Sequence, residues 1–137
     1  MSEQQNIKFI KDHFAAFGRG DIQSAMRMIA EDVDWQSPVS STPPNEITWA
    51  KPCNNSKQVL KFFQELGKKV QTEEFEIVQY IAQGDHVVVE GRNKGKIRTT
   101  GKIYEHDWVM LFKIIDNKIV RHSHYYDTND IVMAFKE

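Results

Sequence analysis

The sequence predicts an α+β fold, with three N-terminal helices against one face of a curved, mainly antiparallel sheet. Three observations predict it. Apolar residues recur at helical spacing in the first half of the chain, β-branched and alternating runs take over after Gln71, and short turn signals separate those runs. The chain has 137 residues, enough to bury one real core, and no linker divides it, so a single domain over residues 1–137 is expected.

Ser2 followed by Gln5 makes a capping-box pattern, and Ile7, Ile10, Phe14 and Phe17 then fall on one helical face before Gly18 and Gly20 stop the run. Asp21 is suited to cap a second helix, with Ile22, Ala25, Met26 and Ile29 together on a face. Val33 to Pro38 is expected to be a short strand closed by its proline. The next stretch, PVSSTPPNEITWAKPCNNS, holds all four prolines and no sustained period, a length that points to a lid or binding loop, and Trp49 within it implies packing. Ser56 is expected to cap a third helix carrying Val59, Leu60, Phe63, Leu66 and Val70.

FEIVQYIAQ, HVVVEGRNKGKIR, IYEHDWVMLFKII and KIVRHSHYY follow as four strands, joined by turns at Gly84–Asp85, Thr100–Gly101 and Asp116–Lys118. A last helical turn or two after Thr128 is expected, capped by Asp127 or Thr128.

A formal charge of −1 predicts no pull toward nucleic acid or an anionic membrane. No apolar run approaches the ~20 residues of a membrane span, and MSEQQNIK lacks the basic start and apolar stretch of a signal peptide, so a cytoplasmic protein is expected. Cys53 has no partner for an internal disulfide and no histidine near it in sequence, which makes it a loop residue. Arg92, Lys94, Lys96 and Arg98 alternate along one strand and are expected on a solvated face or at a dimer rim.

Alternation also sorts the polar aromatics. His106, Trp108, Met110 and Phe112 share one face of the third of these strands, and Val120, His122, His124 and Tyr126 share one face of the fourth. Large apolar walls with few polar groups are the usual lining of a small-molecule pocket. The same residues would also suit a hydrogen-bonded core or a wet face, although several imidazoles are satisfied more readily by a pocket than by a dry core. Asp127 alternates away from His124 and suits the cap of the terminal helix.

FAAFGRGD, EDVDWQSP, IAQGDHVVVEGRNKG, RTTGKIYEHDW and NKIVRHSHYYDT together resemble the SnoaL-like branch of the nuclear transport factor 2-like superfamily, relatives of ketosteroid isomerase and limonene epoxide hydrolase. The resemblance spans nearly the whole chain. It implies a cone, a curved antiparallel or mixed sheet wrapped around the helices, and a homodimer formed through the outer sheet face. It also implies that Trp49 closes the cone mouth and that Asn54–Asn55 supply left-handed backbone. By the resemblance, Ser37 takes the place of the isomerase aspartate base, and His13 falls near its oxyanion tyrosine. Against the epoxide hydrolase pattern, His124 stands at the water-activating aspartate, Asn93 at the other aspartate, Gly91 at the arginine, Trp35 at the tyrosine and Ser37 at the asparagine, so none of the five is retained. The same alignment turns His122, His124 and Tyr126 into the cavity with His106, Trp108 and Met110.

The expectation is therefore a cofactor-independent proton-transfer enzyme acting on a small apolar carbonyl or polyketide-like molecule, by isomerisation, cyclisation or hydration. His124 is the expected base, able to exchange protons near neutral pH, with His122 and His13 as further catalytic candidates. Trp35, Ser37, Trp49, Asn93, His106, Trp108, Met110 and Tyr126 are expected to form the ligand pocket. Two alternatives stand beside it: a non-catalytic ligand-binding or dimerisation module, and a metal held by His122 and His124 with His106 as third ligand.

Overall fold

A computed structural model describes residues 2–137. Ser2 Oγ accepts the Gln5 N–H and Gln5 Oε1 accepts the Ser2 N–H, the reciprocal cap that starts α1, Glu3–Gly18. Its most buried stripe is Asn6, Ile10, His13 and Ala16, so the expected face through Ile7 and Phe14 is rotated. Asn6 can sit inward because its amide donates to the Gly84 carbonyl at 3.2 Å. Asp21 caps α2, Ile22–Arg27, through the Ser24 N–H as expected. Ile29 does not belong to that helix but opens β1, Ile29–Gln36. This strand starts four residues before the expected Val33, because Ile29 already pairs with Ile119 and the Ile119 N–H reaches the Met28 carbonyl.

Asn55, not Ser56, caps α3, Ser56–Lys69, by accepting the Gln58 N–H at 2.9 Å. Asn55 is extended at φ −155, and neither it nor Asn54 takes a positive φ, so the expected left-handed pair is absent. On α3, Val59 and Phe62 are buried while Leu60 is exposed. Val70 leaves the helix for extended backbone and begins β2, Val70–Gln83, as a β-branched residue tends to do. β3 (His86–Ile97), β4 (Ile103–Ile115) and β5 (Lys118–Tyr126) complete the meander, followed by α4, Thr128–Phe135, capped by Asp127.

The sheet order is β1-β5-β4-β3-β2, with β1 parallel to β5 and the other pairs antiparallel. Asp116 and Asn117 both have positive φ, the backbone a two-residue hairpin demands. β2 slips register against β3 at Thr72/Glu74 and Ile77/Gln79, the bulges that bend a long strand. Another slip places Ile119, not the expected Val120, opposite Ile114 on the inner face of β5.

On the inner face of β3, Gly91 lies opposite Trp108 and Gly95 opposite Tyr104. A Cβ at Gly91 would stand 2.2 Å from Trp108 Cζ2, and one at Gly95 would stand 2.3 Å from the Tyr104 hydroxyl. The two aromatic rings therefore lie on bare backbone, which lets the sheet close tightly around its contents. On the outer face, Arg92 pairs with Asp107 at 3.1 Å and with Glu105 at 4.0 Å, so the basic stripe is locally balanced. Arg98 lies beyond β3 and donates to the Gly67 carbonyl. Among the described residues no helix is long and apolar enough to cross a membrane.

Candidate active site

The inner faces of β3 to β5, the sides of α1 and α3 and the proline-rich loop enclose a cavity of about 420 Å³. Each strand contributes alternate residues to it, and register sets which ones meet: Met110 lies beside His124, Phe112 beside His122 and Asn93 beside His106. Of the residues singled out in the sequence, His13, Trp35, Ser37, Trp49, Asn93, His106, Met110, His122, His124 and Tyr126 all line this space. Trp108 does not. Its indole lies behind the wall, over Gly91, stacked on Phe75 at 4.9 Å and edge-on to His124 at 5.7 Å. The bare backbone at Gly91 gave it a closer packing partner than the cavity offers.

Phe14, Phe17, Phe62, Phe63 and Tyr104 also line the space. Helical spacing had placed Phe14, Phe17 and Phe63 inward, and alternation from His106 leads directly to Tyr104. Phe62 gave no such signal, since it flanks the cavity beside Phe63 from a neighbouring position of the same helix.

His122 lies flat on Trp35, ring centroids 3.8 Å apart and planes 9° from parallel, with Phe112 against its edge. His13 meets Phe17 edge-on at 4.9 Å. His124 Nδ1 is 2.9 Å from Ser37 Oγ. When Ser37 donates, His124 Nε2 carries the proton and offers a donor to the cavity; when Ser37 accepts, Nε2 is the acceptor, so the serine sets the role. Three imidazole nitrogens have no hydrogen-bond partner among the described residues: His13 Nδ1, His122 Nδ1 and His124 Nε2. The Asn93 carbonyl oxygen and the Trp35 N–H share that condition.

Burial sets the charge of these groups. It lowers the His124 pKa to about 3, with His106 nearby adding to the effect, and lowers that of His13 to about 4 against a backbone hydrogen bond to Ala25. His122 falls well below the usual imidazole range by burial and by its two neighbouring imidazoles, His124 and His13. The expectation that His124 titrates near neutral pH is thereby corrected: an imidazole surrounded by Trp108, Tyr126 and Met110 stays neutral. Burial also raises Tyr104 to about 12 and Tyr126 still further, so both remain phenols.

The loop from Ser37 to Asn55 is held at both ends of this wall. Trp35 and Cys53 exchange backbone hydrogen bonds, and the Val39 N–H reaches the His124 carbonyl. Between these ties Trp49 is buried, and its indole N–H donates to the Tyr126 hydroxyl at 3.2 Å. Cys53 is buried with its thiol pushed up by burial, the condition of an unreactive cysteine. Among the described residues no group of three metal-ligating side chains is placed to hold an ion. His122 is stacked on Trp35, and the centroids of the His122 and His124 rings stand 6.0 Å apart.

His13, His122, His124, Tyr104 and Tyr126 are thus neutral donors and acceptors set in hydrocarbon, with no carboxylate among the lining side chains. A family model described as the SnoaL-like domain matches residues 10–122. The fold is shared with an NTF2-like protein of Burkholderia xenovorans, at 28% identity over 99% of both chains and a TM-score of 0.84. An NTF2-like protein of Burkholderia thailandensis matches at 24% identity over 100% of both chains, TM-score 0.84. A Xanthomonas campestris protein provisionally named a polyketide cyclase matches at 19% identity over 98% of both chains, TM-score 0.77. No curated protein matches the chain.

Proposed function

Because the chain belongs to the SnoaL-like domain family, we propose that it binds a small, largely apolar carbonyl or polyketide-like molecule in the cone. There it transfers a proton on that molecule without a cofactor, by isomerisation, cyclisation or addition of water. One observation carries the reading: unpartnered but neutral hydrogen-bonding atoms, His124 Nε2, His122 Nδ1 and Asn93 Oδ1, lie on an otherwise apolar wall. Each such atom costs about 1–3 kcal/mol while unsatisfied, and a ligand with one or two oxygens relieves that cost. A charged ligand would meet no opposite charge on the wall. The provisional cyclase name of the Xanthomonas neighbour is in keeping with the same substrate class.

In this reading neutral His124, its tautomer set by Ser37, donates to the carbonyl oxygen as negative charge develops there. His122 and His13 complete the hydrogen-bonding strip. 2-Tetralone, a rigid bicyclic ketone with acidic hydrogens beside its carbonyl, is a suitable probe, and proton transfer shows as deuterium entering those positions in heavy water. The wild-type protein should accelerate exchange over buffer. His124→Ala should slow it by about 10²-fold, the usual effect of losing one donor to a developing oxyanion. An unchanged rate in His124→Ala would remove that histidine from the chemistry, and tight binding without exchange would leave the protein a ligand-binding module.

Homodimerisation through the outer sheet face belongs to the same proposal. Ile81, Val109 and Tyr125 are 54%, 38% and 47% exposed there, beside the Arg92 ion pairs. Sedimentation should show a dimer that Ile81→Lys weakens. A monomer at all concentrations would refute it.

A further inference from the structure

We propose that His106 is the base that removes the proton and that Asp130 holds it in the tautomer required, an inference that rests on the proton-transfer reading of the cavity. Among the described residues His106 is the one histidine within ion-pair distance of an acid, its Nδ1 2.9 Å from Asp130 Oδ2. The same carboxylate oxygen accepts the Glu105 N–H at 3.0 Å, and the Asp130 N–H is tied at 3.0 Å to the capping carboxylate of Asp127. Asp130 therefore sits in the first turn of α4, where the helix dipole favours its negative charge. The imidazole is clamped between two rings, stacked on Tyr104 at 5.3 Å and on Tyr126 at 5.8 Å.

An ionised carboxylate only accepts, so Nδ1 carries the hydrogen and Nε2 is left with its lone pair, on a ring that lines the cavity. The charged and titratable groups around His106 are Asp130 from α4, Tyr104 on its own strand, and Tyr126 and His124 from β5, while β3 presents the uncharged Asn93. A proton placed on His13, His122 or His124 would create a buried cation with no carboxylate against it. At His106 it meets a counter-charge at once.

The step balances within the site. Nε2 takes a proton from the carbon beside the ligand carbonyl, the C–H electron pair becomes the carbon–carbon double bond, and the carbonyl pair moves to oxygen. The products are an enolate and an imidazolium paired with Asp130. His124 Nε2–H or the Tyr126 hydroxyl, itself held by Trp49, is placed to bind the enolate oxygen. Return of the proton to another carbon completes an isomerisation.

The test uses 2-tetralone exchange and nitrogen-15 spectra of the ring nitrogens. Wild-type His106 should show hydrogen on Nδ1 and a bare Nε2. His106→Gln should slow exchange by 10²-fold or more, within the usual range for a general base. Asp130→Asn keeps an acceptor for the Glu105 N–H, so folding should be retained. Its exchange should nevertheless fall about 10-fold or more, with the acid limb of the pH–rate profile moved to lower pH, because the protonated ring has lost its counter-charge. A purely structural tie between β4 and α4 would not move that limb. Exchange lost in His124→Ala but intact in His106→Gln, or an unmoved limb in Asp130→Asn, would overturn the assignment while leaving proton transfer standing. No exchange by the wild-type protein would remove the proton-transfer reading and this assignment with it.

Discussion

Lowering the pH from 7.5 to 5 is expected to destabilise the fold by on the order of 6 kcal/mol, enough to threaten a domain of this size. The sign follows from burial. His13, His122 and His124 have folded pKa values depressed below the unfolded value of 6.5, to about 4, well below, and about 3. Above pH 6.5 both states hold these rings neutral and their contribution is fully present. As the pH falls below 6.5 the unfolded chain takes up protons that the folded chain refuses, so stability drains away until the folded pKa values are reached. Each ring contributes about 1.4 kcal/mol per pH unit in that window. Urea unfolding at pH 7.5, 6.5, 5.5 and 5 measures the slope, and His124→Gln should remove about a third of it. Equal stability at pH 7.5 and 5 would mean that these imidazoles reach solvent in the folded protein.

The second large effect concerns Gly91 and Trp108. Trp108 is 2% exposed and packs on Phe75, on His124 and on the bare backbone of Gly91. Trp108→Ala should cost about 3–5 kcal/mol, as truncation of a buried aromatic does. Gly91→Ala should cost about 3 kcal/mol, the upper end for overpacking, because its Cβ would meet both the indole and the Glu76 carbonyl oxygen, 2.6 Å away. The double variant should be less destabilised than the two losses combined, by about 1 kcal/mol or more, since the indole that the added methyl group would strike is gone. Thermal and urea unfolding of the four proteins measure the cycle. Additive losses would show that the indole has room to move off Gly91.

Much of the architecture was legible because local rules and tertiary packing agree. The Ser2–Gln5 box, the Asp21 and Asp127 caps and the Asp116–Asn117 hairpin each act within a few residues and need no distant partner. Errors arose where neighbours far along the chain decide. Pairing with β5 draws Ile29 into a strand, and a bulge exchanges Val120 for Ile119; the Asn55 cap in place of Ser56 is instead a local choice, made with the Gln58 N–H three residues on. Strand alternation grouped His106 with Met110 and Phe112, and His122 with His124 and Tyr126, on single faces of the strands that border the cavity, because a period of two is fixed by backbone geometry. It could not tell that Trp108 would settle behind that wall, since only the position of Gly91 across the sheet makes room for the ring.

By itself the sequence determined the α+β layout and which residues share a strand face, both consequences of periodicity and short-range capping, while the resemblance to a known family implied that the face of His106 and that of His122 and His124 turn inward. The tertiary structure alone decided what those imidazoles are. It closed phenylalanines around His13, Trp35 and Phe112 around His122, and Trp108 and Tyr126 around His124, and desolvation then keeps them neutral. It also brought Asp130 from a different element to within 2.9 Å of the fourth, His106, and such surroundings are set by long-range packing and not by residue type.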